Sequence, residues 1–185
     1  MSTPGKILLW GSNLWQFGAG MLGPLFAIFV EDIGGDILDV SWVYATYLIV
    51  TGMGIILVGK LADKIGDEWF MISGYGLSAI ATFGYLFVTT TIDLLIIQVL
   101  QGVSLALMQP TWFALYDYFR GDGKNGGYIW GLATGMGYVA SGVALIVGGF
   151  IADRFSFDAL FVVMGTILTI ATIYQATILK FTKPR

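Results

Sequence analysis

The chain contains no cysteine and no histidine among its 185 residues, and only four prolines. The first two absences exclude disulfides, thiol chemistry, the usual zinc ligand sets and histidine proton relays. Charge is also scarce: Asp, Glu, Lys and Arg make up 11% of the chain, against about 25% in a typical soluble protein. The nine basic residues are too few and too scattered for a nucleic-acid surface. No phosphate loop or nucleophile elbow occurs, so no enzyme is expected and no cofactor or metal is implied. What remains is apolar: 57% of the residues, in long blocks and not at amphipathic spacing.

A membrane-crossing helix needs about 20 mostly apolar residues. Charge-free stretches run over 7–30, 40–59, 69–92, 94–116, 125–152 and 159–179. Each is long enough to cross. The sequence therefore predicts an all-α membrane protein with six transmembrane helices in a lipid bilayer. The first stretch is too long for a cleavable signal, carries Asn13 and Gln16, and is followed by no convincing small-residue cleavage site.

Lys and Arg favour the cytoplasmic ends of membrane helices. Lys6, Lys60, Lys64, Arg120, Lys124, Lys180, Lys183 and Arg185 all fall on one side of the six-span arrangement. On the other side Arg154 stands alone among acids, including Glu31, Asp32, Asp36, Asp39, Asp93, Asp153 and Asp158. This asymmetry predicts cytoplasmic amino and carboxyl termini in a cell (inner or plasma) membrane.

The run Gly59-Lys60-Leu61-Ala62-Asp63-Lys64-Ile65 returns 90 residues later as Gly149-Phe150-Ile151-Ala152-Asp153-Arg154-Phe155. Each copy is read as a loop just after a helix. The same offset lays the first three helices on the last three, giving units 1–92 and 93–185. Three is an odd number, so the second unit enters the bilayer upside down. Inverted triplets of this kind are one route to a transporter fold.

With Gly66, the first copy resembles the loop signature between helices 2 and 3 of the major facilitator superfamily. The resemblance covers the whole chain through motif, topology, charge pattern and repeat, and implies a half bundle. Members usually have twelve helices. Three further departures stand out. Asp67 and Glu68 follow the motif where basic residues are usual. Gln98 stands three residues before Gln101-Gly102, where many proton-coupled members have arginine. Ala144 and Leu145 precede Gly148-Gly149, where antiporters carry Gly-Pro. The last two argue against a proton antiporter, as does the lack of any ionisable residue near a span centre.

Polar side chains in hydrocarbon turn toward the bundle interior or a wet cavity. On helix 4, Gln98, Gln101, Gln109, Trp112 and Tyr116 share a stripe of roughly 80° with Leu105. They are expected either to line a cavity for a small organic solute, sugar-like or amphiphilic, or to hydrogen-bond neighbouring helices. Helix 1 carries Asn13, Gln16, Gly20, Pro24 and Ala27 on one stripe, with Glu31 at its outer end. Trp130, Thr134, Tyr138 and Ser141 are candidates for a wall from helix 5. Pro24 and Pro110 are expected to kink or loosen helices 1 and 4. The glycines are read as packing residues.

In the family, the loop of Gly59, Asp63, Lys64 and Gly66 looks like a cytoplasmic latch against the opposite half. Its counterpart here is Gly149, Asp153 and Arg154. A second copy of the chain would bring Asp63 near the partner's Gly126 and Gly127, with Lys64 free to pair with Asp67 or Asp117. The leading expectation is a half-size transporter acting as a homodimer. The rivals are a membrane-embedded interaction subunit, and one half of a split or truncated twelve-helix transporter.

Overall fold

The computed structural model describes residues 2–120 and 126–182, and only the backbone of Asp63, Ile65 and Arg120. Lys124, Lys183 and Arg185, used above for orientation, lie outside the described residues. Among the described residues seven α-helices follow one another: α1 (Thr3–Gly20), α2 (Leu25–Asp32), α3 (Ile37–Ile65), α4 (Asp67–Gly84), α5 (Thr91–Arg120), α6 (Gly126–Arg154) and α7 (Phe157–Ala176). Short 3₁₀ turns extend α4 and α7, and no strand occurs among the described residues. Five of these helices are long and apolar enough to cross a membrane. Together α1 and α2, bent by 43° at their break, pass the same test, which gives up to six spans.

The two internal prolines behave differently. Before Pro24, Gly23 takes φ +28°, a backbone state that costs glycine least, and the helix breaks there. Pro110 follows Leu107, Met108 and Gln109, which hold helical geometry, and α5 runs through it unbroken. The Thr111 hydroxyl donates to the Leu107 and Met108 carbonyls at 2.8 and 3.0 Å, tying down the backbone beside the proline.

Acids read above as markers of the outer side also cap helices. Asp36 Oδ1 accepts from the backbone N–H groups of Leu38 and Asp39, and Asp39 Oδ2 accepts from that of Asp36 in return. Asp93 and Thr90 exchange the same pair of bonds at the start of α5. Reciprocal caps satisfy amide donors that a helix start leaves open.

The signature run is not a loop. Gly59 to Lys64 continues α3 to its end, and the turn is confined to Gly66 at φ +120°. Gly149, Asp153 and Arg154 likewise lie within α6, the last two in its final turn. The helices outrun their apolar stretches because charged side chains in these last turns reach water without ending the backbone ladder. Arg154 pairs with Asp153 at 3.4 Å, both largely exposed.

In the bundle, α5 packs between α3 and α4, α1 packs between α6 and α7, and α4 meets α7. The hydrophobic effect does not draw helices together in lipid, so close backbone approach must hold them. A methyl group at Gly74 would come within 2.7 Å of the Ser104 carbonyl, and one at Gly102 within 3.0 Å of the Tyr47 carbonyl. Two apolar clusters form at opposite ends of the bundle. One gathers Phe29, Tyr85 and Phe161, with Tyr85 stacked on Phe161 at 4.8 Å. The other gathers Leu8, Met71, Tyr75 and Tyr116. A layer of hydroxyls and amides lies between them.

One buried amide is poorly served. Gln175 is wholly buried, its Nε2 donates only to the Met71 sulfur at 3.4 Å, and its Oε1 has no partner. An unpaired buried acceptor costs about 1–3 kcal/mol. Gln175→Leu is therefore expected to raise the thermal midpoint in lipid nanodiscs, by an amount equivalent to about 1 kcal/mol. A lowered midpoint would mean that the amide has a partner in the folded bundle.

Candidate functional site

Between the helices lies a cavity of about 280 Å³. Helix α1 brings Ser12, Trp15 and Gln16 to it, spaced i, i+3 and i+4 so that they share one face. From α5 come Leu105, Met108, Gln109, Trp112 and Phe113. From α6 come Trp130, Ala133, Thr134 and Tyr138, and α4 adds Tyr75. Among the described residues no charged side chain lines it.

Aromatic rings dominate the walls. Trp112 stacks on Tyr116 at 4.7 Å and meets Trp130 edge-on at 6.3 Å. Phe113 lies 5.9 Å from Trp130. The Trp112 indole N–H donates to the Leu8 carbonyl at 3.2 Å, fixing that ring against α1. Trp15 is fixed from behind, its N–H donating to Ser78 Oγ at 3.1 Å.

The polar groups of the cavity are unevenly engaged. Gln16 Oε1 accepts from Ser141 Oγ at 3.4 Å, and the Thr134 hydroxyl donates to the Trp130 carbonyl. Gln109, in contrast, makes no hydrogen bond to any described residue. Its amide offers two donors and an acceptor to whatever enters.

Of the residues expected from sequence, Gln16, Leu105, Gln109, Trp112, Trp130, Thr134 and Tyr138 meet around this cavity. Others do not line it, and of these Ser141 reaches it only through Gln16. Asn13 turns back to the Leu9 carbonyl at 2.7 Å and borders a separate groove with Trp10 and Gly131. Gln98 reaches the Tyr85 hydroxyl at 3.3 Å, inside the other apolar cluster. Gln101 bonds to Ser78 and Thr82 on α4. Tyr116 is buried behind Trp112, its hydroxyl donating to the Ile129 carbonyl at 3.1 Å. Ser12, Trp15, Tyr75, Met108, Phe113 and Ala133 escaped the sequence reading. The i, i+3, i+4 spacing of Ser12 and Trp15 with Gln16 was a signal for two of them. Tyr75 had none, because its span reads as a uniform apolar helix.

The cavity thus has neutral aromatic and amide walls inside a bundle of membrane-length helices. The profile of the Major Facilitator Superfamily matches residues 8–185, and the chain belongs to that superfamily. It is 25% identical over 160 residues to an uncharacterised MFS-type transporter of Methanocaldococcus jannaschii, covering 85% of this chain and 41% of that protein. Similarity extends to the multidrug resistance protein MdtG of Yersinia enterocolitica, 24% identical over 86% of this chain and 39% of the relative. A tetracenomycin C resistance and export protein of Streptomyces glaucescens is 26% identical over 71% of this chain and 24% of its own length. The chain thus spans less than half the length of these relatives.

Proposed function

We propose that this chain is a six-helix transporter unit that moves a planar amphiphilic organic solute across the cell membrane. The observation that carries this reading is the Gln109 amide, unpartnered among the described residues and set among the rings of Trp112, Phe113 and Trp130 in a cavity that no described charged side chain lines. Such walls offer π faces and one adaptable polar anchor, which suit a flat organic molecule and not a bare inorganic ion. Relatives named for multidrug resistance and tetracenomycin export support the amphiphilic solute over a sugar-like one.

The unit closes its pathway with a second six-helix unit, most simply another copy of itself related by a twofold axis. Helices α3 and α6 support this, because both present glycines with nothing within 4 Å: Gly52 and Gly59 on one, Gly142 and Gly149 on the other. The 90-residue offset carries the first pair onto the second. The same offset carries the α3–α5 contact onto α6–α1, and α4–α5 onto α7–α1, which supports two inverted three-helix repeats. Access then alternates as one unit rocks against the other, with both termini in the cytoplasm. Movement needs no proton relay within the spans.

Uptake into vesicles reconstituted with the purified chain tests this, using a panel of planar dyes, sugars and inorganic ions. Saturable dye uptake that persists when the proton gradient is collapsed is the expected result. Intact-mass measurement from nanodiscs is expected to give twice the chain mass. Dye-inactive protein of single-chain mass would point instead to a subunit without transport activity.

A further inference from the structure

Gln101 was expected at the cavity wall, yet the structure sets it behind that wall in a hydrogen-bonded chain crossing three helices. The chain starts at Trp15 of α1, whose N–H donates to Ser78 Oγ of α4 at 3.1 Å. Ser78 Oγ donates in turn to Gln101 Oε1 of α5 at 3.3 Å. The Gln101 amide nitrogen then donates to Thr82 Oγ1 at 3.0 Å and to the Ser78 carbonyl at 3.5 Å. Ser78 and Thr82 are each only 1% exposed, so water does not compete for these bonds.

The hydrogen bonds run in one direction, from Trp15 to Thr82. An indole nitrogen only donates, so Ser78 must accept from Trp15 and spend its single proton elsewhere. Gln101 Oε1 takes that proton, which leaves both amide hydrogens for Thr82 and the Ser78 carbonyl. Trp15 is the only member of the chain that lines the cavity, where its ring meets Tyr75 edge-on at 6.3 Å.

We infer that Gln101 is a positioning residue: acting through Ser78, it fixes the Trp15 ring and so selects flat solutes over bulky ones. Without the amide, the Ser78 proton seeks another acceptor. The preceding turn offers the Gly74 carbonyl, which accepts from Ser104 at 2.9 Å and keeps a second lone pair. Turning the proton there re-aims both lone pairs of Ser78 Oγ and weakens the bond from the Trp15 N–H. The inference rests on the proposal that the cavity takes a solute.

Gln98 supplies the control. It is the same residue type on the same helix, it is buried, and its bond to Tyr85 leads away from the cavity. The experiment uses the full chain in nanodiscs, labelled with 5-fluorotryptophan, and the Trp15 fluorine signal is identified by its loss in Trp15→Phe. Binding of planar ethidium and of non-planar tetraphenylphosphonium is measured alongside; equal charge makes their affinity ratio a reading of shape. Gln101→Leu and Ser78→Ala are each expected to shift or broaden the Trp15 signal. They are expected to weaken ethidium binding by about threefold to tenfold with less change for tetraphenylphosphonium. Gln98→Leu is expected to leave the signal and the ratio unchanged. The inference is overturned if Gln101→Leu leaves the Trp15 signal in place, or if Gln98→Leu moves it equally. If neither dye binds the parent protein, the solute reading falls, while the fluorine signal still decides whether Gln101 holds Trp15.

Discussion

Gly148→Ala is expected to destabilise the bundle by about 2–3 kcal/mol, the largest loss for any single added methyl group. A Cβ at Gly148 would overlap the backbone carbonyl of Met21, at the break between α1 and α2. A flexible side-chain tip can move aside, but a carbonyl cannot move without its helix. Here that helix is the bent one, packed between α6 and α7. Thirteen residues earlier on the same helix, a methyl at Gly135 would meet nothing within 4 Å. Gly135→Ala is therefore expected to leave the thermal midpoint in nanodiscs unchanged or slightly raised, since alanine is the better helix former. Equal midpoints for the two variants would show that α1 and α6 do not approach this closely.

The second large effect is expected at Trp112. Its ring stacks on Tyr116, meets Trp130 and Phe113, and is pinned by the Leu8 carbonyl. Trp112→Ala removes the face on which a flat solute would lie, and an aromatic pair contributes about 0.5–1.5 kcal/mol beyond its buried area. Ethidium binding is expected to weaken by about tenfold or more. Because Trp→Ala can cost about 3–5 kcal/mol of stability, Trp112→Phe accompanies it. That variant keeps a ring on Tyr116, loses the N–H, and is expected to retain most of the binding. Gln109→Leu separates the polar anchor from the ring faces: it is expected to weaken ethidium binding with no loss of stability, since Gln109 bonds to no described residue. Unchanged binding in Trp112→Ala would move the solute out of this cavity.

These two positions differ in how they could be found. Trp112 and Gln109 lie on a polar stripe of α5 that helical periodicity reveals. Gly148 is one glycine among 26, and its neighbour is a carbonyl from a span more than a hundred residues away. The α5 stripe also shows the limit of periodicity, which gives an angle around the helix but not the neighbour at each depth. Gln98 and Gln101 point the same way as Gln109, yet at their depth α4 and its 3₁₀ extension supply hydroxyls that engage both amides. On α1, polarity places Asn13 on the lining stripe, but its amide returns to its own helix four residues back, as short polar side chains readily do.

The signature run carries the same lesson. Charges at Lys60, Asp63 and Lys64 end an apolar stretch and so read as the start of a loop. Backbone hydrogen bonding does not depend on the side chain's polarity, so α3 continues to Gly66.

The amino-acid sequence alone carried the apolar stretches of membrane-crossing length and the superfamily signature. Bilayer thickness sets one length for every span, and composition along the chain reports it directly. The tertiary structure decided which face of each helix meets the cavity, which amides serve as interhelical bonds and where the backbone breaks. Those outcomes depend on partners brought from distant spans, and a lone helix carries no record of them.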